Sequence, residues 1–284
     1  MQAAQNIQGT PHAGNRWKQN SDRQLTTHGY ICNNVDNAFY TYHIQGNLVA
    51  MLSTTVDDFL LSFKTDIICD NFFQFMGDAF DITTPEFQYE LKFLSLHIYQ
   101  SEHGISIDQT RYIYTNTLSD WFNNDTDIKR HDNPINAHPT YKYKLSESTP
   151  LSPEELEAYE NTYHGAYNQT IGKILHIQQW TRPDLNYAIS RLAVFSKSPT
   201  AIAFQALDHL MSYLHHHMHE PIFYPPKPVG PDKLITYCWS KHQTTTYTTK
   251  STFIYHVDAA FANILPDRRS MQAHVGLLNG SITS

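Results

Sequence analysis

The sequence predicts an α+β fold, because strand-like and helix-like segments are separated along the chain instead of alternating. Apolar and aromatic runs divided by short turns fill the segment 1–110, whereas apolar residues at helical spacing dominate 153–216. Two more strand-like runs follow a proline-rich segment. The 284 residues include 15 Phe, 18 Tyr and 4 Trp, which are enough to fill a substantial core.

The segment 1–110 is expected to form strands covered by at least one helix. In chain order, we expect a helix over 17–25, strands over 38–44, 48–56 and 59–63, a helix over 66–80, and strands over 93–99 and 105–107. The segments Gln45-Gly46-Asn47 and Ser101-Glu102-His103-Gly104 are rich in turn-forming residues. Each is therefore predicted to join two antiparallel strands.

The chain changes in character after this region. The polar, proline-containing segment 123–150 is predicted to be a linker or a long surface loop. Ser152 and Glu155 flank Pro153 in the pattern of a capping box, which predicts the start of a helix. Helices are expected over 153–179, 184–196 and 200–216, then a stiff connector over 221–250 and strands over 253–257 and 273–278. The last helix has one apolar face, formed by Ala203, Ala206, Leu207, Leu210, Met211 and Leu214.

Charge and composition exclude several classes of protein. The net charge is −7, and the segment 1–110 carries 12 acidic and 5 basic side chains, which argues against strong autonomous binding of a polynucleotide. The three cysteines are widely spaced and form neither a metal-binding nor a disulfide pattern, which suits a reducing compartment. No apolar run is long enough to span a membrane, and the first residues do not resemble a signal peptide. We therefore expect an intracellular protein, cytoplasmic or nuclear, that does not bind a membrane.

Two adjacent carboxylates, Asp57 and Asp58, stand between two apolar runs. Because acidic residues favour turns and are costly within a sheet, the simpler interpretation is the bend of a β-hairpin. Two carboxylates side by side on a rigid hairpin can also bind divalent metal ions for phosphoryl transfer. Both interpretations remain open from these residues alone.

The order of the segments around this pair resembles a known enzyme family. Gln8, Gly9 and Pro11 belong to a glycine-containing loop, which is either a turn before a helix or a loop that lets the backbone approach a base or sugar. That loop and helix, a strand pair ending in Val56-Asp57-Asp58, a helix and a hairpin together resemble the palm of the Ty1/copia class of reverse transcriptases.

The resemblance continues over about 275 residues of the chain. Matching segments include Phe93–Ile98, Gly104–Gln109, Tyr112-Ile113, Tyr167–Leu175, Thr181–Leu185, Ala188–Leu192 and Pro199-Thr200. His256–Ala262 and Asp267–Ser270 resemble the first hairpin of the tethered RNase H domain. The sequence departs from the family at Thr55, where a tyrosine is usual, and at Ser95, where a glycine is usual.

The resemblance implies RNA-directed DNA polymerase activity and a specific set of site residues. Asp57 and Asp58 would help to hold two Mg²⁺ ions, Gln8, Gly9 and Pro11 would lie beside the incoming nucleotide and template, and Asp258 would be the first metal ligand of RNase H. Template-primer and dNTPs are the implied partners. The implied domains are a partial palm (1–122), a linker or loop (123–150), a helical thumb and connection region (151–220), a connector (221–250) and truncated RNase H strands (251–284).

The same resemblance implies that the active site is incomplete. The family polymerase needs a third carboxylate and fingers from upstream, and the rest of the Pol polyprotein and the later RNase H ligands are missing here. We therefore expect weak or no catalysis from this chain alone. Two alternatives remain: a non-catalytic remnant that acts as an interaction module, and an incomplete gene prediction with the fingers encoded upstream.

Two further groups of polar residues could have a function of their own. His215 and His219 have the spacing of a zinc-binding pair on one helix face, but a solvated polar helix end is the simpler interpretation. Asp184, after Arg182-Pro183, is better explained by the start of a helix than by catalysis.

Overall fold

The computed structural model describes residues 13–55, 58–80, 82, 89–123, 125, 127–136, 138 and 144–225, and the backbone of three later strands at 253–264, 269–278 and 281–282. The chain divides into two compact units, Met1–Gln88 and Tyr89–Ser284. The boundary between them falls inside the predicted domain 1–122. No helix in the described part of the chain is long and apolar enough to cross a membrane.

The first unit is a four-stranded antiparallel sheet with two helices. Its elements are α1 (Ala13–Thr27), β1 (Ile31–Cys32), β2 (Phe39–Ile44), β3 (Asn47–Thr54), β4 (Phe59–Phe63) and α2 (Asp66–Ala79), and the strands lie in the order β1-β2-β3-β4. Leu25 of α1, Tyr40 and Leu52 of the sheet, and Phe72 and Met76 of α2 form its core. The predicted elements are confirmed here, and α1 is longer than expected at both ends.

The second unit contains another antiparallel sheet, in the order β5-β6-β7-β8. Its strands are β5 (Glu90–Phe93), β6 (Leu96–Ser101), β7 (Gly104–Asp108) and β8 (Ile222–Tyr224). The prediction of a single strand over 93–99 is wrong, because the chain turns at Leu94 and Ser95. Both residues have positive φ angles, 50° and 69°, as the tight turn between two paired strands requires.

The second unit also contains a layer of helices. It contains α3 (Thr110–Ile113), a π-helical turn (Tyr114–Leu118), α4 (Ser119–Phe122), α5 (Pro153–Thr162), α6 (Tyr167–Trp180), a 3₁₀ turn (Pro183–Leu185), α7 (Asn186–Ala193) and α8 (Ala201–His216). The expected helix over 153–179 is two helices, because His164 has a φ of 51° and Gly165 lies against the Trp121 ring. The capping box at Ser152 and Glu155 is confirmed by reciprocal hydrogen bonds of 2.8 and 3.2 Å.

Helix α8 is the centre of the core of the second unit. All six residues of its predicted apolar face are fully buried, which confirms that face. Part of the segment 123–150 packs against the same core, since Leu145 is 1 % exposed and Ile135 contacts the cluster.

Two long strands and a short one follow later in the chain. They are β9 (Phe253–Ile264), β10 (Arg269–Leu278) and β11 (Ser281–Ile282), paired antiparallel in the order β11-β10-β9. The predicted strands over 253–257 and 273–278 lie within β9 and β10.

Candidate functional site

The carboxylate of Asp58 lies at a tight turn between β3 and β4. The Thr55 amide donates to the Asp58 carbonyl at 2.8 Å, and the Asp58 amide donates back to the Thr55 carbonyl at 3.2 Å. The ladder then continues with Thr54 opposite Phe59. These bonds confirm the predicted hairpin bend, which Asp58 closes, and the Asp58 side chain is exposed.

Aromatic packing and one further hydrogen bond hold the two strands next to this turn. The Phe59 ring, which follows Asp58, lies 6.2 Å from the Trp17 ring of α1 and 6.4 Å from the Phe72 ring of α2. On the other strand the Thr54 amide donates to the Ala38 carbonyl at 2.8 Å. These contacts hold the backbone of the two strands on either side of the turn.

The donor chemistry at the turn suits a hard divalent cation. Mg²⁺ prefers oxygen ligands and binds proteins through one or two carboxylates while it keeps several waters, and an exposed carboxylate at a hairpin tip leaves room for them. Within the described residues, no group of three His, Cys, Asp or Glu side chains is arranged to hold a metal ion. Of the two aspartates that the resemblance assigns to magnesium, Asp58 is the one that lies within the described residues.

Most of the other predicted site residues lie outside the described residues. These are Asp57, which adjoins Asp58, and the loop residues Gln8, Gly9 and Pro11. Asp258 belongs to β9, where its backbone is paired with Ala273 of β10. It belongs to the second compact unit, whereas Asp58 belongs to the first.

An ion-pair network in the second unit was not predicted. The Arg182 side chain is 2 % exposed, and its guanidinium donates two hydrogen bonds to Asp184, at 2.9 and 2.7 Å. It also donates to the His217 carbonyl at 2.6 Å, while the Tyr213 hydroxyl donates to Asp184 at 2.9 Å. Burial, followed by the Asp184 charge, raises the pKa of Tyr213 to about 12, so this hydroxyl remains a donor.

This network is structural. It joins the 3₁₀ turn to the end of α8, and Asp184 lies at the start of that turn, as the sequence suggests. The segment Thr181–Leu185 already stood out in the sequence, but nothing in it showed that the arginine would be buried.

The His215 and His219 pair does not gain a third ligand from the described residues. His215 Nδ1 is buried with no partner in this part of the chain, and His219 is exposed. Their neighbour His216 donates from Nε2 to the Ile128 carbonyl at 2.9 Å. The histidines of α8 thus contact the segment 127–136, and a zinc site remains the less favoured of the two interpretations of this pair.

A second candidate surface surrounds the β5–β6 turn. Ser95 Oγ lies 3.0 Å from His176 Nε2 of α6, and the His176 ring lies 4.9 Å from Tyr112. Trp180 follows one turn later on α6 with 42 % of its surface exposed. Exposed aromatic rings of this kind can stack on nucleic-acid bases.

Comparisons with known proteins point to one class of polyprotein. The chain is 26 % identical over 213 residues to the retrovirus-related Pol polyprotein from transposon RE1 of Arabidopsis thaliana. It is 24 % identical over 215 residues to the corresponding polyprotein from transposon RE2 of the same plant. Each match covers 73 % of this chain, and the chain spans 13 % of the length of either relative. No family model and no solved structure matches the chain. The homologues are thus retrotransposon Pol polyproteins, which supports a fragment of the Ty1/copia type.

Proposed function

We propose that this chain derives from the reverse transcriptase and RNase H region of a copia-type Pol polyprotein. The observation that carries the proposal is the exposed carboxylate of Asp58, which closes the turn between β3 and β4, in a chain whose homologues are retrotransposon Pol polyproteins. The reaction class is transfer of a nucleotide to the 3′ end of a primer. Asp57 and Asp58 are the metal-binding residues of this proposal.

In this proposal the hairpin supplies fixed negative charge. Bound Mg²⁺ ions would lower the pKa of the attacking hydroxyl and neutralise charge on the transferring phosphate. Asp58 would hold such an ion while the Thr55–Asp58 hydrogen bonds keep the turn closed. The rings of Trp17 and Phe59 would limit movement of the strand that carries the carboxylate.

The aromatic surface around the β5–β6 turn is the proposed contact for template-primer. Ser95 and His176 are held together by a hydrogen bond, so this surface does not have to be ordered on binding. Stacking on Trp180 tolerates any base, which suits an enzyme that copies every sequence. Asp258 on β9 is proposed separately as a metal ligand of the RNase H-related segment.

Non-catalytic binding is the second candidate function. The acidic balance of the segment 1–110 favours it, because a surface that binds a polynucleotide by charge is usually basic. In that case the hairpin would be an inherited structure, and the chain would act through contacts with other molecules.

The experiment compares metal binding and primer extension in three forms of the full chain: wild type, Asp58→Asn and Asp70→Asn. Asp70 is an exposed carboxylate on α2, so its variant makes the same charge change away from the turn. Mn²⁺ binding is followed by electron paramagnetic resonance, and we expect Asp58→Asn alone to weaken it by about tenfold. Equal binding by the two variants would refute the metal site.

Primer extension on a primed homopolymer with dNTPs and Mg²⁺ then separates the two functions. Extension that Asp58→Asn abolishes and Asp70→Asn preserves supports the polymerase. Binding of template-primer without extension, unchanged in Asp58→Asn, supports the interaction module.

A further inference from the structure

An aromatic depression lies in the first unit between the end of α1 and helix α2. It encloses about 360 Å³, within the size range of small-molecule sites. Its lining residues are His28, Tyr30, Tyr42, Ile44, Ile68, Asn71, Phe72, Gln74, Phe75 and Asp78. Of these residues, Phe72 also packs against Phe59 beside the Asp58 turn, and the proposed polymerase chemistry assigns no role to the others.

Two stacked pairs of rings form the walls of the aromatic depression. The His28 and Phe75 rings are 3.9 Å apart at 9°, and the Tyr30 and Tyr42 rings are 4.9 Å apart at 20°. Gly29 allows this arrangement, because it has a φ of 86° and a Cβ there would lie 3.2 Å from the Tyr42 ring. Each ring of a pair covers one face of the other, so the depression offers the remaining faces and edges of the exposed His28 and the half-buried Tyr42 and Phe75.

Two polar groups of the aromatic depression are open to a ligand. Tyr30 is 4 % exposed, and its hydroxyl makes no hydrogen bond to any residue in the described part of the chain. Burial, aided by the nearby Tyr42, raises the pKa of Tyr30, so the hydroxyl is a donor. His28 Nδ1 lies 2.8 Å from the Gln24 carbonyl and must donate to it, which leaves Nε2 as the ring nitrogen available to a ligand. The Tyr30 oxygen is not among the buried polar atoms of the described residues that lack a partner, so it reaches solvent, where water or a ligand accepts its hydrogen bond.

The polar residues that line the aromatic depression favour neutral ligands over anionic ones. Asn71, Gln74 and Asp78 lie on one face of α2 and offer amide donors, amide acceptors and a carboxylate. No lysine or arginine lines the depression. A phosphate group would therefore meet a negative charge without a compensating cation.

We propose that the aromatic depression binds a neutral, planar heteroaromatic ligand of nucleoside size, which stacks on the rings and bonds to Tyr30, His28 and the amides of α2. The site is separate from the Asp58 turn. Tyr42 is paired with Ala50, four residues before Thr54 at the end of β3, which places it about 13 Å along the strand from the turn. The inference therefore goes beyond the proposed function and does not depend on it.

The test measures binding of adenosine, AMP and indole to the full chain by saturation-transfer NMR. We expect adenosine to bind with a dissociation constant on the order of 1 mM or tighter, and AMP to bind severalfold more weakly because of Asp78. Indole, which has the ring but few hydrogen-bonding edges, should also bind more weakly. AMP distinguishes a free nucleoside from a base carried on a phosphate backbone.

Three variants assign the binding to the aromatic depression. Tyr30→Phe keeps the buried ring and removes the hydroxyl, so adenosine should bind roughly two- to tenfold more weakly. Asp78→Asn should bring the dissociation constants of AMP and adenosine closer together. Asp70→Asn makes the same charge change elsewhere on α2 and should leave the ratio of the two constants unchanged. Circular dichroism checks that each variant is folded.

The proposal is overturned by any of three results. The first is no saturation transfer to adenosine at about 10 mM, and the second is indole binding as tight as that of adenosine. The third is equal AMP binding by Asp78→Asn and Asp70→Asn, a comparison that holds even if Tyr30→Phe fails to fold.

Discussion

Replacement of Asp184 with alanine tests how the second unit tolerates a buried positive charge. In the structure Arg182 is 2 % exposed and gives two of its hydrogen bonds to Asp184. Removal of the carboxylate leaves that guanidinium with only the more distant Glu220 carboxylate, 3.8 Å away and more exposed, as its counter-ion. The Tyr213 hydroxyl loses its acceptor as well. The contact from Arg182 to the His217 carbonyl remains, but a carbonyl does not neutralise the charge.

The size of the effect follows from the burial of each partner. Loss of one partner of a buried ion pair costs about 3–5 kcal/mol. Asp184 is 36 % exposed, so part of this pair is already hydrated and we expect a value near the lower end, about 3 kcal/mol. Arg182→Met should cost less, about 1–2 kcal/mol, since the remaining carboxylate can still reach water. The exposed pair of Asp120 and Lys173, 3.6 Å apart, provides the control, and Asp120→Ala should cost less than about 1 kcal/mol.

Urea unfolding at pH 7, followed by circular dichroism and tryptophan fluorescence, measures these free energies. The expected loss in Asp184→Ala corresponds to a fall in melting temperature of roughly 6–12 °C. If the free energy of unfolding depends equally steeply on urea concentration in all the proteins, the variants unfold from the same compact state as the wild type. The reasoning is refuted if Asp184→Ala costs no more than Asp120→Ala, or if Arg182→Met is the more harmful change.

Two further predictions concern histidine charge and glycine geometry. His131 stacks on His209 at 3.6 Å, and burial together with the His209 charge lowers the pKa of His131 below its ordinary 6.5. Because the unfolded chain then binds protons more readily than the folded one, the free energy of unfolding decreases as the pH falls below 6.5. His131→Gln should therefore make this free energy less dependent on pH between pH 7 and 5. Urea titrations at each pH measure it. Gly104→Ala should destabilise the β6–β7 hairpin by about 2–4 kcal/mol, because φ is 139° and the new Cβ would lie 2.3 Å from the Tyr224 carbonyl oxygen. Gly46→Ala, with a φ of 77° and open space around it, should cost only about 1 kcal/mol in the same urea assay.

Each of these two predictions has a clear contradicting outcome. A dependence on pH in His131→Gln that is as steep as in the wild type would show that the stacked pair does not control it. Equal losses in the two glycine variants would show that the backbone angle alone, and not the approach of Tyr224, sets the cost at Gly104.

Local signals in the sequence were sufficient for most elements of the fold. The capping box at Ser152 and the apolar face of α8 are properties of neighbouring residues along one helix, and both are confirmed. The bend at Asp58 could also be predicted, because acidic residues between two apolar runs favour a hairpin. The division of the predicted strand 93–99 and of the predicted helix 153–179 could not be predicted. Leu94 and His164 adopt positive φ angles, which are uncommon for their residue types.

The sequence by itself determined the hairpin that carries Asp58. It also determined the order of motifs by which the chain resembles retrotransposon Pol polyproteins. Only the tertiary structure decided which side chains meet across long separations in the chain. The burial of Arg182 against α8 and the stacking of Tyr30 on Tyr42 are of this kind. The physical reason is that periodicity and turn chemistry act between near neighbours, whereas burial and side-chain pairing depend on how complete elements pack together.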